Sequence, residues 1–152
     1  MTDDLRALET WAEPLLQQMS AGERTKLSRA IGTALRRSNH ERIQAQRNPD
    51  GTPYLPRKRL RDKAGRIKRT AARMFRRISK ADYLRIQADP SGVAVGFVGR
   101  VARIARIHQY GESDRVSPDG PTVRYPIREL LGITPEDRET IRDMIVQHIG
   151  SD

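Results

Sequence analysis

The chain of 152 residues has no cysteine, three histidines, one tryptophan and two phenylalanines. It also has no apolar run near the roughly 18 to 20 residues that a membrane span requires. Without cysteine there is no disulfide, no thiolate metal site and no cysteine nucleophile, which suits a reducing compartment. His40, His108 and His148 are far apart and form no His-x-x-x-His spacing, so a metal site has no obvious ligand set. No glycine-rich loop has the spacing that cradles a phosphate; Gly92-Val93-Ala94-Val95-Gly96 reads as a turn and a strand bulge. The start, Met1-Thr2-Asp3-Asp4, is acidic and lacks the apolar core of an export signal, so retention where the chain is made is expected. Apolar residues make up only 36% of the chain, a lean supply for a self-contained core; a subunit that finishes its core against neighbours has this balance, and so does a chain with an exposed disordered segment.

What is abundant is positive charge, and it is concentrated. The net charge is +10. Between positions 57 and 77 stand Arg57, Lys58, Arg59, Arg61, Lys63, Arg66, Lys68, Arg69, Arg73, Arg76 and Arg77 against Asp62 alone, so these 11 bases and one acid account for the whole surplus. The remainder of the chain is neutral. Such a segment points to a localised contact with phosphates or with an acidic protein surface. Only Tyr54 and Phe75 are aromatic nearby, which argues against base stacking and for sequence-blind backbone electrostatics if nucleic acid is met.

Periodicity lays out the elements. Leu5, Leu8, Ala12, Leu15, Leu16 and Met19 have helical spacing, with Thr2 as cap and a kink or break expected at Pro14. Ser20 and Glu23 form a capping-box pattern ahead of a second helix reaching about Gln46, with Gly32 a weak point in its middle. Asn48-Pro49-Asp50-Gly51-Thr52-Pro53-Tyr54-Leu55-Pro56 must be a loop, in which Asp50 is a turn residue rather than a general base. A helix is expected over 66–78 on Ile67, Ala71, Met74, Phe75 and Ile78. Two alternating runs flanking Asp89-Pro90-Ser91-Gly92 predict a hairpin. A short helix should end at Gly111, and Glu112 to Pro121 reads as an exposed loop. Thr134, Pro135, Glu136 and Asp137 mark the start of a last helix that Gly150 ends. The sum is one α+β domain over 1–152: a helical hairpin (1–47), a loop or arm (48–65), and a core with a small antiparallel sheet and a C-terminal helix (66–152). His40 is expected on a solvated helix face, His148 in a core or interface, and His108 in a structural role at a helix end.

Three ordered segments resemble one family. Pro49-Asp50-Gly51-Thr52-Pro53-Tyr54 is similar to the proline- and glycine-rich loop of bacteriophage virion morphogenesis, or tail completion, proteins. Ile107-His108-Gln109-Tyr110-Gly111 resembles their His-Gln-aromatic-Gly motif, and Tyr125-Pro126-Ile127-Arg128-Glu129-Leu130-Leu131-Gly132 resembles the Pro-x-Arg segment before the final helix. The resemblance implies a structural, non-enzymatic virion protein without cofactor or metal. It would be assembled in the host cytoplasm and act at the tail or neck. There it would complete the head-proximal end of the tail for head–tail joining. It also implies a ring of identical subunits, a hexamer by expectation, between a tail terminator or tail tube and head-side connector proteins, with DNA in the lumen and no membrane contact. Under that resemblance Pro49, Asp50, Gly51, Pro53 and Tyr54 form an arm or clasp, and His108, Gln109, Tyr110 and Gly111 fix a helix end. Arg128 anchors the segment from Pro126 to Gly132 through an acidic or carbonyl partner, and the basic segment faces either the DNA lumen or an acidic neighbour. The competing reading is a small basic nucleic-acid-binding protein without sequence readout; a nuclease would need a carboxylate cluster that the sequence does not offer.

Overall fold

The computed structural model describes residues 2–58, 64–66 and 73–150. Its elements run α1 (Thr2–Gln17), α2 (Ala21–Gln44), β1 (Leu84–Asp89), β2 (Gly92–Phe97), α3 (Val101–Tyr110), β3 (Ser113–Arg115), β4 (Thr122–Arg124) and α4 (Pro135–Ile149). This is an α+β architecture with two separate two-stranded antiparallel sheets, β1–β2 and β3–β4.

Pro14 does not break α1, which runs unbroken to Gln17. Pro14 stands three residues from the helix end, and the donor it lacks would have served Thr10. Both residues are exposed, so water satisfies the freed carbonyl at small cost. α2 opens with a complete capping box: Glu23 N–H donates to the Ser20 hydroxyl, and Ser20 N–H donates to the Glu23 carboxylate at 2.9 Å. α4 starts the same way with Thr134 and Asp137, and with Pro135 in its first turn.

α2 is the spine shared by two apolar cores. Its first half gives Leu27, Ile31 and Leu35 to a cluster with Leu8 and Ala12 of α1 and Ile141 and Ile145 of α4, flanked by Val93 and Val95. Its end gives Ile43 to a second cluster with Tyr54, Met74, Ala105 and Leu130. Between these, the β1–β2 hairpin lies against α2 at Gly32, where an added Cβ would stand 2.5 Å from Ile86 Cγ2 and 2.9 Å from Val93 Cγ2. The glycine is therefore a close-approach position and no mere soft spot. Gly32→Val is expected to lower stability by about 2 kcal/mol, read as a lower urea midpoint at unchanged slope, because the branch must wedge the hairpin off the helix.

Three local expectations are corrected. The 66–78 helix does not form over 73–80, which is bends and turns, and 67–72 lies outside the described residues. Phe75 takes a left-handed backbone (φ 65°), a conformation no helix interior accepts. The loop expected over Glu112–Pro121 contains β3, which pairs with β4 through Ser113 opposite Arg124 and Arg115 opposite Thr122. Finally, the β1–β2 register is continuous from Leu84–Phe97 to Asp89–Gly92, with no bulge at Gly96, which sits directly opposite Arg85.

Candidate functional site

The three segments singled out in the sequence meet in one place, at the end of α2 and α3. The loop after α2 is closed by Asn48 N–H donating to Thr52 O (2.8 Å), Gly51 N–H donating to Asn48 O (2.9 Å), and Tyr54 N–H donating to Gln46 O (2.7 Å). At its tip Asp50 accepts from the Thr52 hydroxyl (2.6 Å) and the Thr52 amide (2.9 Å). These bonds hold its carboxyl below the usual carboxylate range, the hydroxyl contributing most. Pro49 and Tyr54 turn inward and are buried, while Asp50, Gly51, Thr52, Pro53, Leu55 and Pro56 stay exposed.

Polar side chains from α2, this loop and α3 then capture the backbone of 128–132. Gln109 accepts from the amides of Leu130 (2.8 Å) and Leu131 (2.9 Å) through one oxygen and donates to Leu131 O (2.9 Å). Asn48 accepts from Glu129 N–H (2.9 Å), the Tyr54 hydroxyl donates to Glu129 O (3.0 Å), and Arg42 donates to the same oxygen (3.2 Å). Buried Asn39 accepts from Gly132 N–H (3.0 Å) and from Arg42. Burial pushes the Tyr54 phenol up to about 12, so it remains a donor. Gly132 lets the chain pass: a Cβ there would lie 2.2 Å from Pro49 Cγ. Gly111, left-handed at φ 65°, ends α3 and accepts Ile127 against its bare Cα. Tyr110 points out to solvent and Pro126 is half-buried.

At the centre lies Arg128, only 3% exposed, with no carboxylate beside it among the described residues. Its guanidinium donates to Leu55 O (2.7 Å), to Pro56 O (3.2 Å) and to His108 Nδ1 (3.2 Å). A guanidinium has no acceptor, so Nδ1 carries no proton and His108 is the neutral Nε2–H tautomer. Burial, then Arg128 and Arg57, push its pKa down to about 4. The ring packs edge-on between Phe75 (centroids 4.7 Å apart) and Tyr125 (4.9 Å), and Phe75 also meets Tyr54.

This arrangement has a consequence for the basic segment. Leu55 and Pro56, held by Arg128, immediately precede Arg57. Met74 follows Arg73 and is held by Gln46, whose side chain accepts from Met74 N–H (2.7 Å) and donates to Met74 O (2.8 Å). Pro56, just before the segment, and Met74, within its last turn of chain before Arg76 and Arg77, are thus fastened to one polar and aromatic cluster. Arg57, Lys58, Arg66, Arg73, Arg76 and Arg77 are exposed, whereas Arg59, Arg61, Lys63, Lys68 and Arg69 lie outside the described residues. The site is suited to fixing chain geometry. Among the described residues no His, Asp and Glu cluster could hold a metal, and no helix is long and apolar enough to cross a membrane.

His40 is not on a solvated face: its Nδ1 lies 2.8 Å from Ser79 O, and the ring is half-buried. His148 is half-buried near the end of α4. Asn39, Arg42, Gln46 and Asn48 were missed. Asn39 alone carried a signal, since it continues the Leu27, Ile31, Leu35, Ile43 stripe at i+4 spacing with a polar residue.

Because the folded protein holds His108 neutral with a pKa of about 4 against an ordinary 6.5, its contribution is complete above about pH 6.5 and falls as the pH drops toward 4. In that window the unfolded chain takes up a proton that the fold refuses. The loss should total about 2 kcal/mol after allowing for solvent at the half-buried ring. Urea titrations at pH 7, 5.5 and 4.5 should show it, and His108→Asn should flatten that part of the profile.

A family model described as the phage virion morphogenesis family matches residues 3–150. Tail completion protein S of Escherichia phage P2 is 36% identical to this chain over 150 residues, 97% of this chain and 98% of that protein. No solved structure matches.

Proposed function

The chain belongs to the phage virion morphogenesis family, and from that premise we propose that it completes the head-proximal end of a phage tail as a ring of identical subunits, making the tail competent to join a filled head. It is a structural component of the phage tail and not an enzyme. The observation that carries the finer reading is the end-to-end similarity to a tail completion protein, which leaves neither chain with a large unmatched part. The locked cluster around Arg128 supports it from the physical side: it spends many polar side chains on holding backbone in place, as an assembly surface requires.

In this reading the basic segment is the working surface and the cluster is its mount. DNA moving through a channel must not be gripped, so a diffuse, screened, sequence-blind attraction by exposed arginines suits the lumen. An acidic face of the next ring would be served by the same charge. Charge reversal of Arg66, Arg73, Arg76 and Arg77 separates the two. Tails that join heads but eject DNA poorly place the segment at the lumen; tails that stay unjoined place it at the partner. The ring itself is tested by native mass measurement of the full chain, alone and with its tail tube. Ring-sized species support the reading, whereas single chains in both samples, or a tight salt-dependent complex of the single chain with DNA, overturn it.

A further inference from the structure

Among the described residues the β1–β2 hairpin carries two unpaired edges. Val98 N–H donates to Tyr83 O at 2.9 Å, which fixes the alternation of the ladder. Arg85, Gln87 and Asp89 then bond inward to Gly96, Ala94 and Gly92, and the backbone groups of Ile86 and Ala88 on one edge and Val93 and Val95 on the other point outward. These four residues' amides have no hydrogen-bond partner among the described residues. α3 meets β2 at its Phe97 end, and α2 covers one face of the hairpin, where Ile86 and Val93 close on Gly32.

Open edges are usually blunted by proline, lysine or a bulge. β2, reading Gly92-Val93-Ala94-Val95-Gly96-Phe97, has none of these and no charge, and β1 has no lysine, proline or bulge. The two edges are also complementary. They are equal in length, six residues each, and run in opposite directions, so β1 of one copy can meet β2 of another as an antiparallel pair. That pairing sets Ile86 and Ala88 beside Val93 and Val95 of the neighbour, which are β-branched and apolar. It sets Arg85 and Gln87 beside the neighbour's small Ala94 and Gly96, with neither clash nor like charge.

We infer that the subunits join edge to edge, β1 of each copy hydrogen-bonding β2 of the next, so that the hairpins form one continuous sheet around the assembly. The occupant of each edge is a second copy of this chain, and the junction is head-to-tail, the kind that closes into a ring. This rests on the ring proposed above and specifies its contact. The face opposite α2, on which Arg85, Gln87 and Ala94 are exposed among the described residues, becomes one wall shared by all copies.

A chain without cysteine makes the test clean. Arg85→Cys, Gln87→Cys and Ala94→Cys chains are made separately, so no chain can form an internal disulfide. At a junction these positions fall in non-hydrogen-bonded pairs, whose Cβ separation of about 4.5 to 5.5 Å is close to what a disulfide takes up. Oxidised mixtures of Ala94→Cys with Gln87→Cys or Arg85→Cys, under conditions where the wild-type chain forms rings, should give a cross-linked pair absent from each variant alone. In parallel, Ala88→Pro removes one outward donor and no ladder bond. It should reduce the native mass from ring to single chain while retaining the wild-type circular dichroism and nearly its melting temperature. If Ala88→Pro unfolds, the cross-links decide. Rings that persist in a folded Ala88→Pro variant, rings without mixed cross-links, or cross-links only of Gln87→Cys with itself overturn the edge pairing and leave the ring standing. Absence of rings in the wild-type chain overturns both.

Discussion

Replacing Arg128 with methionine should lower the unfolding free energy by about 3 kcal/mol, because the Leu55 and Pro56 carbonyls and His108 Nδ1 all lose a charged donor inside a site that admits little water. Methionine fills most of the volume, so the loss reports hydrogen bonding more than cavity. Arg128→Lys should recover less than half of it, since one ammonium cannot fork toward two successive carbonyls and a ring nitrogen. Urea unfolding at pH 7 gives the number. A loss below 1 kcal/mol would mean that the root of the basic segment is held by something else. Amide exchange distinguishes the mechanism: protection should fall first in the 46–56 loop and at 107–112, and last in the α1, α2 and α4 core, which shares no side chain with the Arg128 cluster.

The second large effect is expected at Leu130, fully buried between Ile43, Tyr54, Met74 and Ala105. Leu130→Ala should cost about 4 kcal/mol, near the upper part of the range for leucine truncation. The site is poorly able to collapse, because the backbone on both sides of Leu130 is tied down by Gln109, Asn48 and Asn39. Thermal unfolding would register this as a fall in Tm of about 8 to 16 °C for a chain of this length. A fall under 3 °C would show that the backbone relaxes into the space and that the ties are weak. The double variant with Arg128→Met should lose less than the sum, as the two positions support the same stretch of chain.

Elements whose determinants are local were legible in the sequence. α4 announced itself through Thr134, Pro135 and Asp137, α2 through Ser20 and Glu23, and the β1–β2 hairpin through alternation about Pro90 and Gly92. The end of α3 was readable from Gly111, which a left-handed terminus favours. The failures have a common physical origin. At 73–80 an arginine-rich, helix-compatible stretch is overruled by contacts with Gln46 and His108, which lie about thirty residues away in either direction. β3 and β4 are three-residue strands with a single inward side chain each, too short to show a period. The candidate site was partly visible. Tyr54, His108, Gln109, Arg128 and Gly132 were named through the family resemblance. Arg42, Gln46 and Asn48 were not, because a side chain that caps backbone from 28 to 87 positions away leaves no mark on its own neighbourhood, and Asn39 showed only as a polar break in the α2 stripe. His40 reads as a surface residue for the same reason, its Ser79 partner being thirty-nine positions on.

Fastening Pro56 and Met74 at one cluster sets where the stretch between them leaves and rejoins the fold. Closing a longer loop between anchored ends costs only about 0.6 kcal/mol for each doubling of its length. An insert of different length between Pro56 and Met74 would therefore meet the same two anchored ends. The chain can be engineered by such an exchange with the residues of the Arg128 cluster left in place.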